Sequence, residues 1–159
     1  MPLAARTTPV ADAMEQAVLI AQPEMEAVEL LKLFVDGGVH AVPVVDAGGE
    51  PIGVVSKIDV LGELCGQPDA PRDRDFYASD TEASAAARRW ERRSVRRVRD
   101  FMMPLSVVVT EETSVFEAAS IMANKGIHPV PVVNTSGRVT GILTSSDVLR
   151  WLARNGAHQ

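Results

Sequence analysis

Two short stretches hold the residue types that could handle a ligand. Residues 141–147 read G-I-L-T-S-S-D and residues 53–59 read G-V-V-S-K-I-D. After Gly141, two apolar residues fit the end of a buried strand, and Thr144, Ser145, Ser146 and Asp147 fall where a helix begins. The first N-H groups of a helix have no partner within it and carry partial positive charge, which suits an anion. A carboxylate among hydroxyls adds an acceptor for sugar hydroxyls, so a phosphorylated sugar is the first ligand this chemistry fits. The same residues match the capping box [ST]-x-x-[DE], in which a hydroxyl and a carboxylate satisfy the first helical N-H groups and add about 1 kcal/mol. Capping accounts for Ser56 and Asp59. It leaves Ser146 unused, which favours a ligand at the second stretch.

The elements that must present these stretches follow from patterning. Residues 18–21 form a short apolar run closed by Gln22 and Pro23, long enough only for a strand. Met25, Val28, Leu31, Leu33 and Val35 then fit a helix with Glu24 and Glu26 in its first turn and Gly37-Gly38 as its stop. Residues 41–45 are apolar and β-branched, Asp46-Ala47-Gly48-Gly49 supplies a turn, and residues 52–55 form the returning strand. Ser56 opens a helix that ends near Leu64 or Cys65. The order is strand, helix, strand, strand, helix.

That order occurs twice. At an offset of 88, residues 10–64 align with 98–152 without a gap: Val10 with Val98, Asp12 with Asp100, Met14 with Met102, His40 with His128, Val42-Pro43-Val44-Val45 with Val130-Pro131-Val132-Val133, Gly53 with Gly141, and Asp59-Val60-Leu61 with Asp147-Val148-Leu149. Two copies of one unit predict an α/β fold in which the short sheets pack face to face around a pseudo-two-fold axis, leaving two quasi-equivalent clefts. The chain divides into an arm at 1–9, a first repeat at 10–65, a charged loop and linker at 66–97, a second repeat at 98–154 and a tail at 155–159. Residues 83–99 fit a helix with Ala87, Trp90, Ser94 and Val98 on one stripe and seven arginines elsewhere: Arg88, Arg89, Arg92, Arg93, Arg96, Arg97 and Arg99. Such a helix is either a solvated linker or a docking surface for an acidic protein, a partner's phosphates or RNA.

Bulk properties exclude several classes. At 159 residues, 46% hydrophobic and 23% charged, the chain can bury an ordinary core. A formal charge of -5 argues against general nucleic-acid binding. Cys65 is the one cysteine, so no disulfide framework or cysteine-rich zinc site is expected. The longest run free of Asp, Glu, Lys and Arg is residues 126–137, interrupted by two prolines, against the roughly 20 apolar residues of a membrane span. With no signal-peptide pattern at the start, a cytoplasmic location is expected.

A leading V-x-D-x-M, a central h-P-V-V strand and a closing G-h-h-[ST]-x-[ST]-D, all repeated in register, resemble the CBS-domain pair, a regulatory module. The resemblance covers residues 10–64 and 98–152. It implies two tandem β-α-β-β-α units, a site for AMP, ADP, ATP or S-adenosylmethionine as a regulatory ligand with no obligatory cofactor, and a disc-like homodimer. It also implies that Asp147 grips ribose hydroxyls while Thr144 and Ser146 face a phosphate. In the first copy Gly53, Ser56 and Asp59 match, but Ile58 replaces the second hydroxyl, so Ser56, Lys57 and Asp59 form a weaker site. His40 and His128 match the position where the γ subunits of AMP-activated kinase place a phosphate-contacting histidine; each could equally be a core residue bonded to carbonyls. The arginine that follows there is replaced by Ala41 and Pro129, which weakens a triphosphate reading and leaves phosphate to backbone N-H groups, hydroxyls and the linker arginines. On this reading, His128 joins Gly141, Thr144, Ser145, Ser146 and Asp147, and His40 joins the weaker site.

The expected function is a non-enzymatic sensor whose output is read by an unknown effector chain. No P-loop, no G-x-S-x-G and no His-carboxylate set at metal-ligand spacing favours an enzyme. The alternative is a ligand-free assembly module whose arginine-rich linker docks a partner.

Overall fold

The computed structural model describes residues 7–16, 19–65 and 96–155. Helix α1 (Ala27–Gly37) follows a capping box in which Glu26 N donates to Glu29 Oε2 at 3.0 Å, and it stops at Gly38, whose φ of 63° favours glycine. Glu26 is therefore the cap, and Glu24 precedes the helix rather than lying in its first turn. Strands β1 (Ala41–Val45) and β2 (Pro51–Ser56) pair antiparallel, and α2 (Lys57–Cys65) closes the first repeat. The second repeat holds β4 (Val109–Thr110), α3 (Val115–Lys125), β5 (Val130–Val133), β6 (Val139–Leu143) and α4 (Ser145–Asn155). From the start of the second repeat, β3 (Met103–Pro104) adds to β2 of the first, giving sheets ordered β1-β2-β3 and β4-β5-β6.

Of the strand expected at 18–21, Val18 lies outside the described residues, and the rest makes one parallel bridge between Ala21 and Val44, because Pro23 stops further pairing; Ala21 N donates to Pro43 O at 2.9 Å and Val45 N to Ala21 O at 3.0 Å. Its counterpart, β4, pairs parallel with β5. The end of the expected linker helix is also different. Arg97 is extended and bridges Glu26, and only Val98–Asp100 form a 3-10 turn. Trp90 and the arginines at 88, 89, 92 and 93 lie outside the described residues.

The leading segment of each repeat packs into the core of the other. Val98 is fully buried among Ala21, Ala27, Leu30, Phe34, Val42, Val44 and Val55, while Val10 is fully buried among Val109, Ala118, Val130, Val132 and Leu143. Backbone bonds fix both crossings: Val98 N to Met25 O at 2.9 Å and Ala27 N to Arg96 O at 2.9 Å, against Val10 N to Thr113 O at 2.7 Å and Val115 N to Thr8 O at 2.9 Å. Burying a valine is worth about 1.5–3 kcal/mol, so each crossing ties one repeat to the other. The sheets meet with β1 beside β6 and β2 beside β5, the pseudo-two-fold arrangement expected. Among the described residues, no helix is long and apolar enough to cross a membrane.

Candidate functional site

At the start of α4, Thr144 N and Thr144 Oγ1 donate to Asp147 Oδ2 at 2.8 and 2.6 Å, and Asp147 N donates back to Thr144 Oγ1 at 3.2 Å. This is the capping box read from the sequence. Asp147 is only 5% exposed, and its other oxygen, Oδ1, accepts from the Arg150 guanidinium at 2.8 Å. The start of α2 repeats the cap: Ser56 N and Ser56 Oγ donate to Asp59 Oδ2 at 2.7 and 2.6 Å. Capping thus belongs to both copies, and the surroundings separate them.

Asp147 lies in the wall of a cleft of about 1020 Å3 assembled from three pieces of chain. The end of the arm and the leading segment of the first repeat contribute Thr8, Asp12, Ala13, Met14 and Glu15; the approach to β1 contributes Gly38, Val39, His40 and Ala41; β6 and α4 contribute Ile142, Thr144, Ser146, Asp147, Arg150, Trp151, Arg154 and Asn155. Both repeats therefore build it. Its charged lining is Asp12, Glu15 and Asp147 against Arg150 and Arg154, which disfavours a densely charged anion. A second cleft, of about 30 Å3, is lined by His128 with Val54, Ile127, Pro129, Pro131 and the run from Met103 to Val107.

This geometry regroups the candidate residues. His40 joins Asp147 in the wall of the large cleft, whereas His128 lines the small cleft, away from the residues it was grouped with and without Ser56, Lys57 or Asp59. The cause is the packing of β1 beside β6, which brings the loop before β1 to the end of the opposite repeat. Both histidines are exposed, so neither is a core residue. Ser146 is exposed and lines the cleft, whereas the exposed Ser145 does not. Gly141 is a packing residue: a Cβ there would collide with Met14 Sδ of the crossing arm. Gly53 serves Met102 likewise, with Met102 Sδ and Met103 O each 2.8 Å from the position of a Cβ. Lys57 N donates to His40 O at 2.8 Å, tying α2 to the loop before β1. Asp59 lines neither cleft.

The linker arginines that are described do not reach the cleft. Arg96 pairs with Glu63 at 2.8 Å, Arg97 with Glu24 at 2.6 Å, and Arg99 also with Glu24. The guanidiniums in the wall come instead from α4, and sequence reasoning passed over them. Their signal was present, since 147, 150, 151 and 154 recur at i+3, i+4 and i+7 and so share one helical face. Among the described residues, no three His, Cys, Asp or Glu side chains converge to hold a metal.

Comparison with known proteins agrees with this arrangement. The CBS-domain chain CBSX1 of Arabidopsis thaliana is 26% identical over 136 residues, covering 82% of this chain and 57% of its own length. The γ subunit of 5'-AMP-activated protein kinase of Kluyveromyces lactis is 30% identical over 130 residues, covering 82% of this chain and 34% of its own. The chain thus spans less than two thirds of these curated relatives. Arabidopsis thaliana CBSX2, solved in complex with AMP, superposes with a TM-score of 0.68 at 26% identity, covering 92% of this chain and 97% of that one. The CBS-domain family model matches residues 10–66 and 98–154. With crossed leading segments, paired sheets and a capped carboxylate in each copy, the chain belongs to the CBS-domain family and carries two such domains in tandem.

Proposed function

We propose that this protein is a cytoplasmic, non-enzymatic sensor that binds an adenosine-containing ligand in the Asp147 cleft and signals to a partner chain. The observation that carries the reading is a cleft of about 1020 Å3 built by both repeats around a buried carboxylate. Because the arm, the loop before β1 and α4 all contribute to its wall, a ligand there touches both copies. It can bias their relative arrangement to the extent that it binds one arrangement more tightly. The complex of CBSX2 with AMP supports the ligand class. Three carboxylates against two guanidiniums support AMP or S-adenosylmethionine over a triphosphate. The residues assigned to the site are Thr144, Ser146, Asp147, His40, Arg150 and Arg154; Asp59 is assigned a cap.

A calorimetric panel of AMP, ADP, ATP, S-adenosylmethionine and adenosine tests the reading. Saturation at 100 times Kd should raise stability by about 2.7 kcal/mol. Incubation with ATP should give no hydrolysis above a blank. If nothing in the panel binds at millimolar concentration, the second reading, a ligand-free assembly module, replaces the first. It is favoured by apolar side chains left in solvent on two helices, Ile58 at 80%, Leu61 at 43% and Leu149 at 65% exposure. On either reading these side chains support a homodimer, which Ile58→Glu with Leu149→Glu should shift to monomer in sedimentation.

A further inference from the structure

Asp147 is more fully committed than a ligand-gripping carboxylate needs to be. A carboxylate offers roughly four acceptor sites. Thr144 takes two of them on Oδ2 through its N-H and hydroxyl, and Arg150 takes a third on Oδ1 at 2.8 Å. A ribose diol needs two acceptors, and one remains. The Thr144 bonds belong to the cap and cannot be surrendered without loosening α4. The Arg150 bond can be: its side chain is 57% exposed, and it lies in the cleft wall one turn from Arg154.

Resting on the reading of this cleft as an adenosine site, we propose that Arg150 is a specificity-determining switch that makes the cleft select nucleotides over nucleosides. A diol that engages Asp147 displaces the guanidinium from Oδ1. When the ligand carries a phosphate, the freed Arg150 finds a new anionic partner, with Arg154 beside it. When the ligand is a bare nucleoside, Arg150 loses its partner and gains none. The arginine thus opposes adenosine and supports AMP from the same position.

The test is isothermal titration of AMP and adenosine into the wild-type chain, Arg150→Ala, Arg150→Lys and Arg154→Ala, with thermal melts to confirm folding. Arg150→Ala should weaken AMP about tenfold and tighten adenosine about threefold, so that the two affinities converge. Arg150→Lys, with charge but no planar fork, should fall between. Arg154→Ala should weaken AMP and leave adenosine unchanged. Adenosine binding that is unchanged or weaker in Arg150→Ala overturns the switch, as does a gain in adenosine affinity in Arg154→Ala. Failure of the wild-type chain to bind either compound overturns the adenosine reading itself, a result distinct from binding whose selectivity ignores Arg150.

Discussion

The two clefts are related by the 88-residue offset that carries Val10 onto Val98, yet one has a volume of about 1020 Å3 and the other about 30 Å3. The caps at their helix starts make the same hydrogen bonds, with hydroxyl-to-carboxylate distances of 2.6 Å in both. What differs is the wall. In the small cleft Met103 stands for Glu15, Pro129 for Ala41 and Val54 for Ile142, and the chain from Met103 to Val107 lies against it. The positions equivalent to Thr8 and Trp151, which line the large cleft, are Arg96 and Glu63, joined by an ion pair at 2.8 Å. Gly62 stands for Arg150 and Ile58 for Ser146. Repetition has kept what the fold requires, the cap and the core valines, and has let the cleft-lining positions diverge.

The largest expected effect separates cap from site. Asp147→Ala and Asp59→Ala each remove one cap, so each should lower stability by about 1 kcal/mol. Only Asp147→Ala should weaken AMP, by about 100-fold, since two hydrogen bonds to a charged group are lost. Equal losses of affinity would erase the functional difference between the clefts.

A second pair of variants probes the crossings. Gly53→Ala places a Cβ 2.8 Å from the backbone oxygen of Met103, which cannot swing aside, and should cost about 2–3 kcal/mol. Gly141→Ala meets only the flexible end of Met14 and should cost about 1 kcal/mol. Met14→Ala should recover most of the second loss, while Met102→Ala should recover little of the first. Urea titrations of the four variants and the two doubles decide it; equal costs and equal rescue would show that the crossings are packed alike.

These crossings mark the boundary of what the sequence could tell. Strand β1, the turn after it, β2, α2 and both capping boxes were legible because each rests on local rules: alternation, glycine turns, and a hydroxyl three residues before a carboxylate. The exchange of Val10 and Val98 between cores was not, because identical motifs at 10–14 and 98–102 fit either core equally well by pattern. The regrouping of His40 and His128 has a second source, the packing of β1 beside β6, which sequence adjacency does not reveal. Arg150 and Arg154 were legible as a helical face but carried no weight until the cleft beside them was seen.

The Arg96–Glu63 ion pair gives a smaller effect. Arg96 is 45% exposed and Glu63 14%, so the pair should contribute under about 1 kcal/mol in a double-mutant cycle. Arg96→Ser should leave AMP affinity within about twofold of wild type, because its partner lies on the first repeat and the large cleft takes its guanidiniums from α4. A tenfold loss would place Arg96 at the phosphate after all, and the two clefts would then be functionally coupled.

An effect of similar size and opposite sign concerns a position where the copies differ outside both clefts. Among the described residues, the buried hydroxyl of Thr140 on β6 finds no hydrogen-bond partner, and its counterpart in the first repeat is Ile52. A buried hydroxyl without a partner costs about 1–3 kcal/mol in desolvation, so the isosteric Thr140→Val should stabilise the chain by about 1 kcal/mol. The change replaces a hydroxyl by a methyl and opens no cavity, so Tm should rise by a few degrees with AMP affinity unchanged. If Tm falls instead, the hydroxyl is satisfied in solution, and Thr140 contributes to the second sheet in a way that Ile52 does not contribute to the first.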